Sequence, residues 1–177
     1  NASEIPNGKI VVGQGFIVQA KSGVVSPSVT FKNSMRTAGA GVFFAKQNQQ
    51  KNAFWLQLIS PSQLSNTTAV IYKDNAQNML DKFDSELSSL SSDALFTFAE
   101  NDSKKLSIQG RNGNQISEDV MRLGAQFFND GQYTFALKDK QGIFANVQNI
   151  YLHDKQTNTY TNLQNENYTF TAVKGLI

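Results

Sequence analysis

The single histidine of this chain, His153, stands beside Asp154 in the stretch IYLHDKQTN. A histidine next to an acid is the usual material of general acid–base catalysis. Both residues end an alternating run, however, and neighbours on a strand point to opposite faces, so the two are not a ready-made orienting pair. No G-x-S-x-G nucleophile elbow occurs. The chain has no cysteine, which removes thiol nucleophiles, thiolate metal sites and disulfides together. His153 therefore reads as a surface or edge residue, and no catalytic residue is assigned. The enzymatic reading left open is a hydrolase whose carboxylates are brought together by the fold, since glycosidase-type pairs converge in space rather than in sequence.

The densest acidic group lies in LDKFDSELSS, with Asp81, Asp84 and Glu86, and Asp74 nearby. Oxygen-rich loops suit calcium, which takes roughly six to eight hard oxygen ligands. The spacing is not that of an EF-hand, and Lys82 stands inside the group. These three acids are the candidate calcium ligands, against a solvated acidic loop or helix cap as the plainer alternative. No other cofactor is suggested.

Trp55, the only tryptophan, sits in NAFWLQLIS. It alternates against Phe54, Leu56 and Leu58 and shares its face with Gln57. With Phe54 inward, Trp55 and Gln57 stand outward and offer a ring on which a sugar could stack. Tyr151, Tyr160 or Tyr72 would extend that strip. The plainer alternative is an aromatic that covers a sheet edge or packs under a loop.

Two glycines one residue apart, in KIVVGQGFIVQAKSG, resemble the start of a phosphate-binding loop. Such a loop needs a strand before it and a helix after it, because the helix N-terminus holds the pyrophosphate. Here Gly13 and Gly15 precede Phe16, Val18 and Ala20, which alternate as a strand, and Val18 occupies the third glycine's place. A bulge or close backbone approach at a strand entrance is the better reading.

The elements that must position these residues are strands. Period-two alternation recurs at Val29/Phe31, Phe54/Leu56/Leu58, Phe96/Phe98, Leu106/Ile108, Tyr133/Phe135/Leu137, Ile150/Leu152 and Tyr168/Phe170. Turn signals such as Ser60-Pro61, Asn112-Gly113, Asp130-Gly131 and Gln141-Gly142 separate the runs. The expected fold is all-β, an antiparallel sandwich or jelly-roll-like architecture. One segment departs from it: Met79, Leu80, Phe83, Leu87 and Leu90 recur at helical spacing, which allows at most one short helix near Ala76–Leu90, with an irregular loop as the alternative.

A length of 177 residues suits one domain with a full core. Asn1-Ala2 reads as a tag remnant, and residues 3–177 as one module excised from a larger exported protein. Only 17% of residues are charged, and the net charge is +2 with no cationic cluster beyond Lys104-Lys105. That balance argues against an electrostatic nucleic-acid binder. No apolar run approaches the roughly 20 residues that span a bilayer, so membrane insertion is not expected.

Five ordered segments carry a family resemblance: GQGFIVQA (13–20), VTFKNSMR (29–36), FWLQLIS (54–60), KLSIQGR (105–111) and YLHDKQTNTYTNLQNENYTFTAVKG (151–175). In this order they resemble a β-rich module of large exported Bacteroidetes proteins, found just upstream of type IX secretion C-terminal sorting domains. There the glycine pair opens a strand of the form G-Q-G-F-F-V-K-A, and LDKFDSEL corresponds to a recurring D-x-x-x-D-type segment. A preceding G-N-P-Y-type motif and the sorting domain itself have no counterpart here. The resemblance implies a module outside the cell or on the surface of a Gram-negative bacterium, without an assigned catalytic residue. Its expected partners are other domains of the parent chain, a surface protein or a polysaccharide. Three functions follow: a non-catalytic spacer or adhesion module, a carbohydrate-binding module built around Trp55, and a hydrolase.

Overall fold

Strand β1 (Asn52–Ile59) sets the pattern of the molecule. Phe54, Leu56 and Leu58 are buried, and Trp55, Gln57 and Ile59 between them are half-buried, which is what period-two alternation over one apolar face requires. The computed structural model describes residues 9, 10, 18, 20–38, 51–90 and 92–177. The chain divides into two units, Asn1–Asn48 and Gln49–Ile177.

In the first unit the described residues form a turn at Lys21–Val24 and a single 3-10 turn at Asn33–Met35. Val29 and Phe31, expected to alternate on a strand, are both exposed and in irregular backbone. Alternation alone does not make a strand there. Gly13, Gly15 and Phe16 at the expected strand entrance, and the Asn1-Ala2 remnant, lie outside the described residues.

The second unit is all-β. β1 pairs antiparallel with β2 (Ser65–Lys73) on one side and with β7 (Gly131–Gln141) on the other, and β10 (Tyr168–Ala172) adds to β7. On the far side, β4 (Ala94–Phe98) pairs with β6 (Arg122–Phe127), which carries β11 (Gly175–Leu176). β5 (Lys105–Asn112) joins the two groups. Its first residues pair antiparallel with β4, and Ile108–Asn112 run parallel to Ala69–Lys73 of β2. The result is one nine-stranded mixed sheet, counting the two-residue β3 (Ser85–Glu86), which pairs with β5 off the main path.

Because β5 passes from one group to the other, its inward side changes along its length. Leu106, Gln109 and Arg111 are buried, whereas Ile108, expected on the face of Leu106, is 40% exposed. The sheet folds over so that its two groups share a core. Phe127 of β6 meets Tyr133 of β7 at 4.6 Å and Phe170 of β10 at 5.7 Å between ring centroids. A four-residue helix, α1 (Ile143–Asn146), closes one end, with Phe144 5.0 Å from Phe54 and 5.4 Å from Tyr72.

The segment Ala76–Leu90 holds no helix. Asp81 Oδ1 accepts the Phe83 N–H at 2.7 Å and its Oδ2 accepts the Gln77 N–H at 2.9 Å, while Asp84 Oδ2 accepts the Asp81 N–H at 2.8 Å. These short side-chain bonds compete with a helical ladder and win. Met79, on the supposed apolar stripe, is 52% exposed. A separate two-stranded sheet, β8 (Tyr151–Asp154) with β9 (Thr159–Asn162), follows α1.

Candidate functional site

The β8–β9 hairpin has two unlike faces. Tyr151 and His153 share one face of β8, and register sets Tyr151 opposite Asn162 and His153 opposite Tyr160. Leu152 turns the other way and packs on the core. Asp154, on that same inner side, accepts the Tyr168 hydroxyl at 2.5 Å from β10. The adjacent residues His153 and Asp154 thus serve opposite faces, as strand geometry demands.

On the outer face the His153 and Tyr160 rings stack with centroids 4.0 Å apart and planes 5° from parallel. His153 Nε2 also shares a 3.1 Å hydrogen bond with Asn158 Oδ1. Asn158 ends the four-residue turn with φ of 53°, a left-handed conformation that asparagine adopts more readily than most residues. Tyr151 and Tyr160 remain 58% and 66% exposed. The Asn149 amide reaches the Tyr151 hydroxyl at 3.5 Å.

The hairpin is anchored at its base. Gln164 Nε2 donates to the carbonyls of Phe144 (2.7 Å) and Gln148 (3.1 Å), and its Oε1 accepts the Ile150 N–H at 3.2 Å. Asp154 gathers three more donors besides Tyr168: the Gln156 N–H at 2.7 Å, the Thr157 hydroxyl at 2.9 Å and the Thr157 N–H at 3.4 Å. Led by the Tyr168 bond, these donors hold the Asp154 carboxyl down at about 2. The arrangement is a pair of exposed tyrosines and one fixed ring stack, flanked by the amides of Asn149 and Asn158, on a held scaffold.

Trp55 and Gln57 are half-buried on the outward side of β1, between β2 and β7. Trp55 lies beside Ala69 and Asp139, next to a register shift in the β7 ladder. The Lys138 ammonium donates to the Thr67 hydroxyl at 3.2 Å, with Thr67 placed opposite Gln57. The strip drawn from sequence does not assemble there. Tyr72 is buried, with its hydroxyl on Asp119 at 2.8 Å, because β2 turns it into the core beside Phe144. Tyr151 and Tyr160 belong to the hairpin.

The acids Asp81 and Asp84 bind backbone N–H groups of their own loop, and Asp84 Oδ1 also takes the Gly110 N–H at 2.9 Å. Burial raises the Asp84 carboxyl above its ordinary value against the pull of these N–H bonds. Glu86 is drawn off to Lys104 at 2.5 Å. Among the described residues no three histidine or acidic side chains are grouped so as to hold a metal ion.

Sequence reasoning missed two clusters. Arg111 is wholly buried and gives its Nε and Nη2 to the two oxygens of Asp119, the first at 2.7 Å. Glu100 lies 3.6 Å from the same guanidinium. Burial works against the Arg111 charge, but Asp119 outweighs it and the pKa is raised. Likewise Tyr133 is buried with its hydroxyl 2.8 Å from Asp93 Oδ1. Neither pairing shows in local spacing. The hairpin face left one readable signal, Tyr-x-His before the turn and Tyr-x-Asn after it.

Among the described residues no helix is long and apolar enough to cross a membrane. A family model described as a domain of unknown function, DUF8693, matches residues 1–177. The chain belongs to that family. No curated protein and no solved structure matches it.

Proposed function

We propose that this DUF8693 chain is a non-catalytic β-module of an exported bacterial protein, working outside the cell as an adhesion or spacer domain. The observation that carries this reading is that, among the described residues, five aspartates and the histidine are engaged by the chain itself. Asp81 and Asp84 bind backbone N–H groups, Asp93 binds Tyr133, Asp119 binds Arg111 and Tyr72, and Asp154 binds Tyr168. The one histidine lies against Tyr160. A general acid or base instead needs open approach to the proton it moves. The sparse charge and the ordered resemblance to modules of type IX-secreted proteins support the location.

Antibody labelling of intact cells is expected to find the parent protein at the surface, and labelling only after lysis would overturn the location. The purified chain, incubated with polysaccharide and ester substrates, is expected to release no more product than a heat-denatured control. Product release abolished by His153→Ala or Asp119→Asn would overturn the non-catalytic reading.

A further inference from the structure

We infer that the outer face of the β8–β9 hairpin binds carbohydrate, with Tyr160 as the main stacking ring and Tyr151 as the second, and that its ligand is a neutral sugar chain. The inference rests on the reading of this chain as a non-catalytic module and supplies its ligand class.

The rings come first. Tyr160 is 66% exposed although one of its faces lies on His153 at 4.0 Å. Its exposure therefore belongs to the opposite face and the ring edge. Tyr151 stands diagonally across from it, 58% exposed, within the reach of long side chains on one face of a strand pair. A ligand that suits such rings has an apolar face and a polar edge. A pyranose has both, with C–H groups on its flat side and hydroxyls around it.

The rim fits the hydroxyls. Asn149 reaches Tyr151 and Asn158 reaches His153, so side-chain amides stand beside both rings. Between Tyr151 and Asn162 the acid and base side chains other than His153 are Asp154 and Lys155. Asp154 is turned to the inner side by Tyr168. With so little fixed charge beside the rings, a neutral chain suits the face better than an anionic one.

Preorganisation strengthens the case. The stack fixes Tyr160 and His153 before any ligand arrives, and Gln164 and Asp154 fix the hairpin beneath them, which lowers the ordering cost of binding. Strands of four residues span about 10 Å along the chain, enough for a short saccharide segment and small beside the roughly 800 Å² per partner of a standard protein interface.

Affinity electrophoresis through gels containing laminarin, hydroxyethyl cellulose or galactomannan, with alginate as the anionic comparison, tests the assignment. The chain is expected to be retarded in at least one neutral gel. Tyr160→Ala should weaken that retardation about tenfold, a change of about 1.4 kcal/mol, and Tyr160→Phe should keep it, because stacking uses the ring and not the hydroxyl. Tyr151→Ala gives a second variant, and amide shifts over residues 151–162 on adding laminarin oligosaccharide locate the contact without any substitution. No retardation in any neutral gel overturns the inference, as does retardation by alginate alone. So does retardation that Tyr160→Ala and Tyr151→Ala leave unchanged, or that only Trp55→Phe removes. Depolymerisation of a bound polysaccharide would instead sink the non-catalytic reading and leave the binding face standing.

Discussion

Asp154 and Tyr168 join the hairpin to the main sheet through one 2.5 Å hydrogen bond, from the tyrosine hydroxyl to Oδ2. The bond crosses between two sheets that share no ladder, β8 of the small one and β10 of the large one. It places a carboxylate directly beneath the face that carries His153 and Tyr160, so the orientation of that face depends on a charge.

That dependence has a pH signature. Tyr168 first, then the Gln156 N–H and Thr157, lower the folded pKa of Asp154 to about 2, against roughly 3.9 for an unperturbed aspartate. A lowered folded value means the contribution is present above about pH 4 and fades as pH falls toward 2. Carboxyl NMR titration should find Asp154 ionising near 2 in the native chain and closer to its ordinary value in Tyr168→Phe. Amide exchange over residues 151–162 should quicken in that variant. An Asp154 that titrates normally in the native chain would remove the bond from this account.

A second prediction concerns the buried pair. The side chains of Arg111 and Asp119 are 0% and 3% exposed, and Tyr72 adds its hydroxyl to Asp119. Removing one partner strands the other as an unpaired buried charge. Asp119→Ala should cost about 3–5 kcal/mol in urea unfolding, and Tyr72→Phe about 1 kcal/mol, the loss of one hydrogen bond. Glu100→Gln should cost under about 1 kcal/mol, since the Glu100 side chain is 50% exposed and sits 3.6 Å away. Equal effects at Asp119 and Glu100 would mean that burial does not govern the cluster.

A third prediction tests the loop that failed to become a helix. A Cβ on Gly110 would come within 2.5 Å of Phe83 Cβ, so the loop lies directly on β5 at a position only glycine permits. Gly110→Ala should destabilise the chain by about 1–3 kcal/mol through overpacking and speed amide exchange over residues 77–86. Making the same change in a Phe83→Gly background, where the clashing Cβ is gone, should recover part of that loss. No recovery would locate the strain elsewhere.

These cases mark what could be read in advance. Strands β1, β7 and β10 announce themselves because one face of each turns to the core, so Phe54, Leu58, Tyr133 and Phe135, and the half-buried Tyr168 and Phe170, recur at period two. The face change in β5 is silent, because it arises from two partners of opposite direction and not from Leu106 or Ile108. The loop at Ala76–Leu90 has helical spacing, yet Asp81 and Asp84 act on the backbone at two- to four-residue range, and Gly110 receives the loop from far along the chain. For the candidate site, the outward side of Trp55 was legible, and the grouping of Tyr151, His153 and Tyr160 showed only as Tyr-x-His before a turn and Tyr-x-Asn after it. That grouping depends on where the turn at Lys155–Asn158 sets the register.

Trp55 offers the last test, and it bears on register as a whole. Its half-burial on the outer side of β1 follows from Phe54, Leu56 and Leu58 facing the core, and a slip of one residue would exchange the two sets. Tryptophan emission should therefore lie between that of a core ring and that of a free one, with partial quenching by acrylamide. Trp55→Phe should cost less than about 1.5 kcal/mol, as a change of shape outside the core, whereas Leu58→Ala should cost about 2–5 kcal/mol. A blue-shifted, unquenchable emission joined to a small Leu58→Ala effect would mean the parity is reversed. Every assignment built on β1, including the outward placement of Gln57 and the pairing of Thr67 with Lys138, would then fall with it.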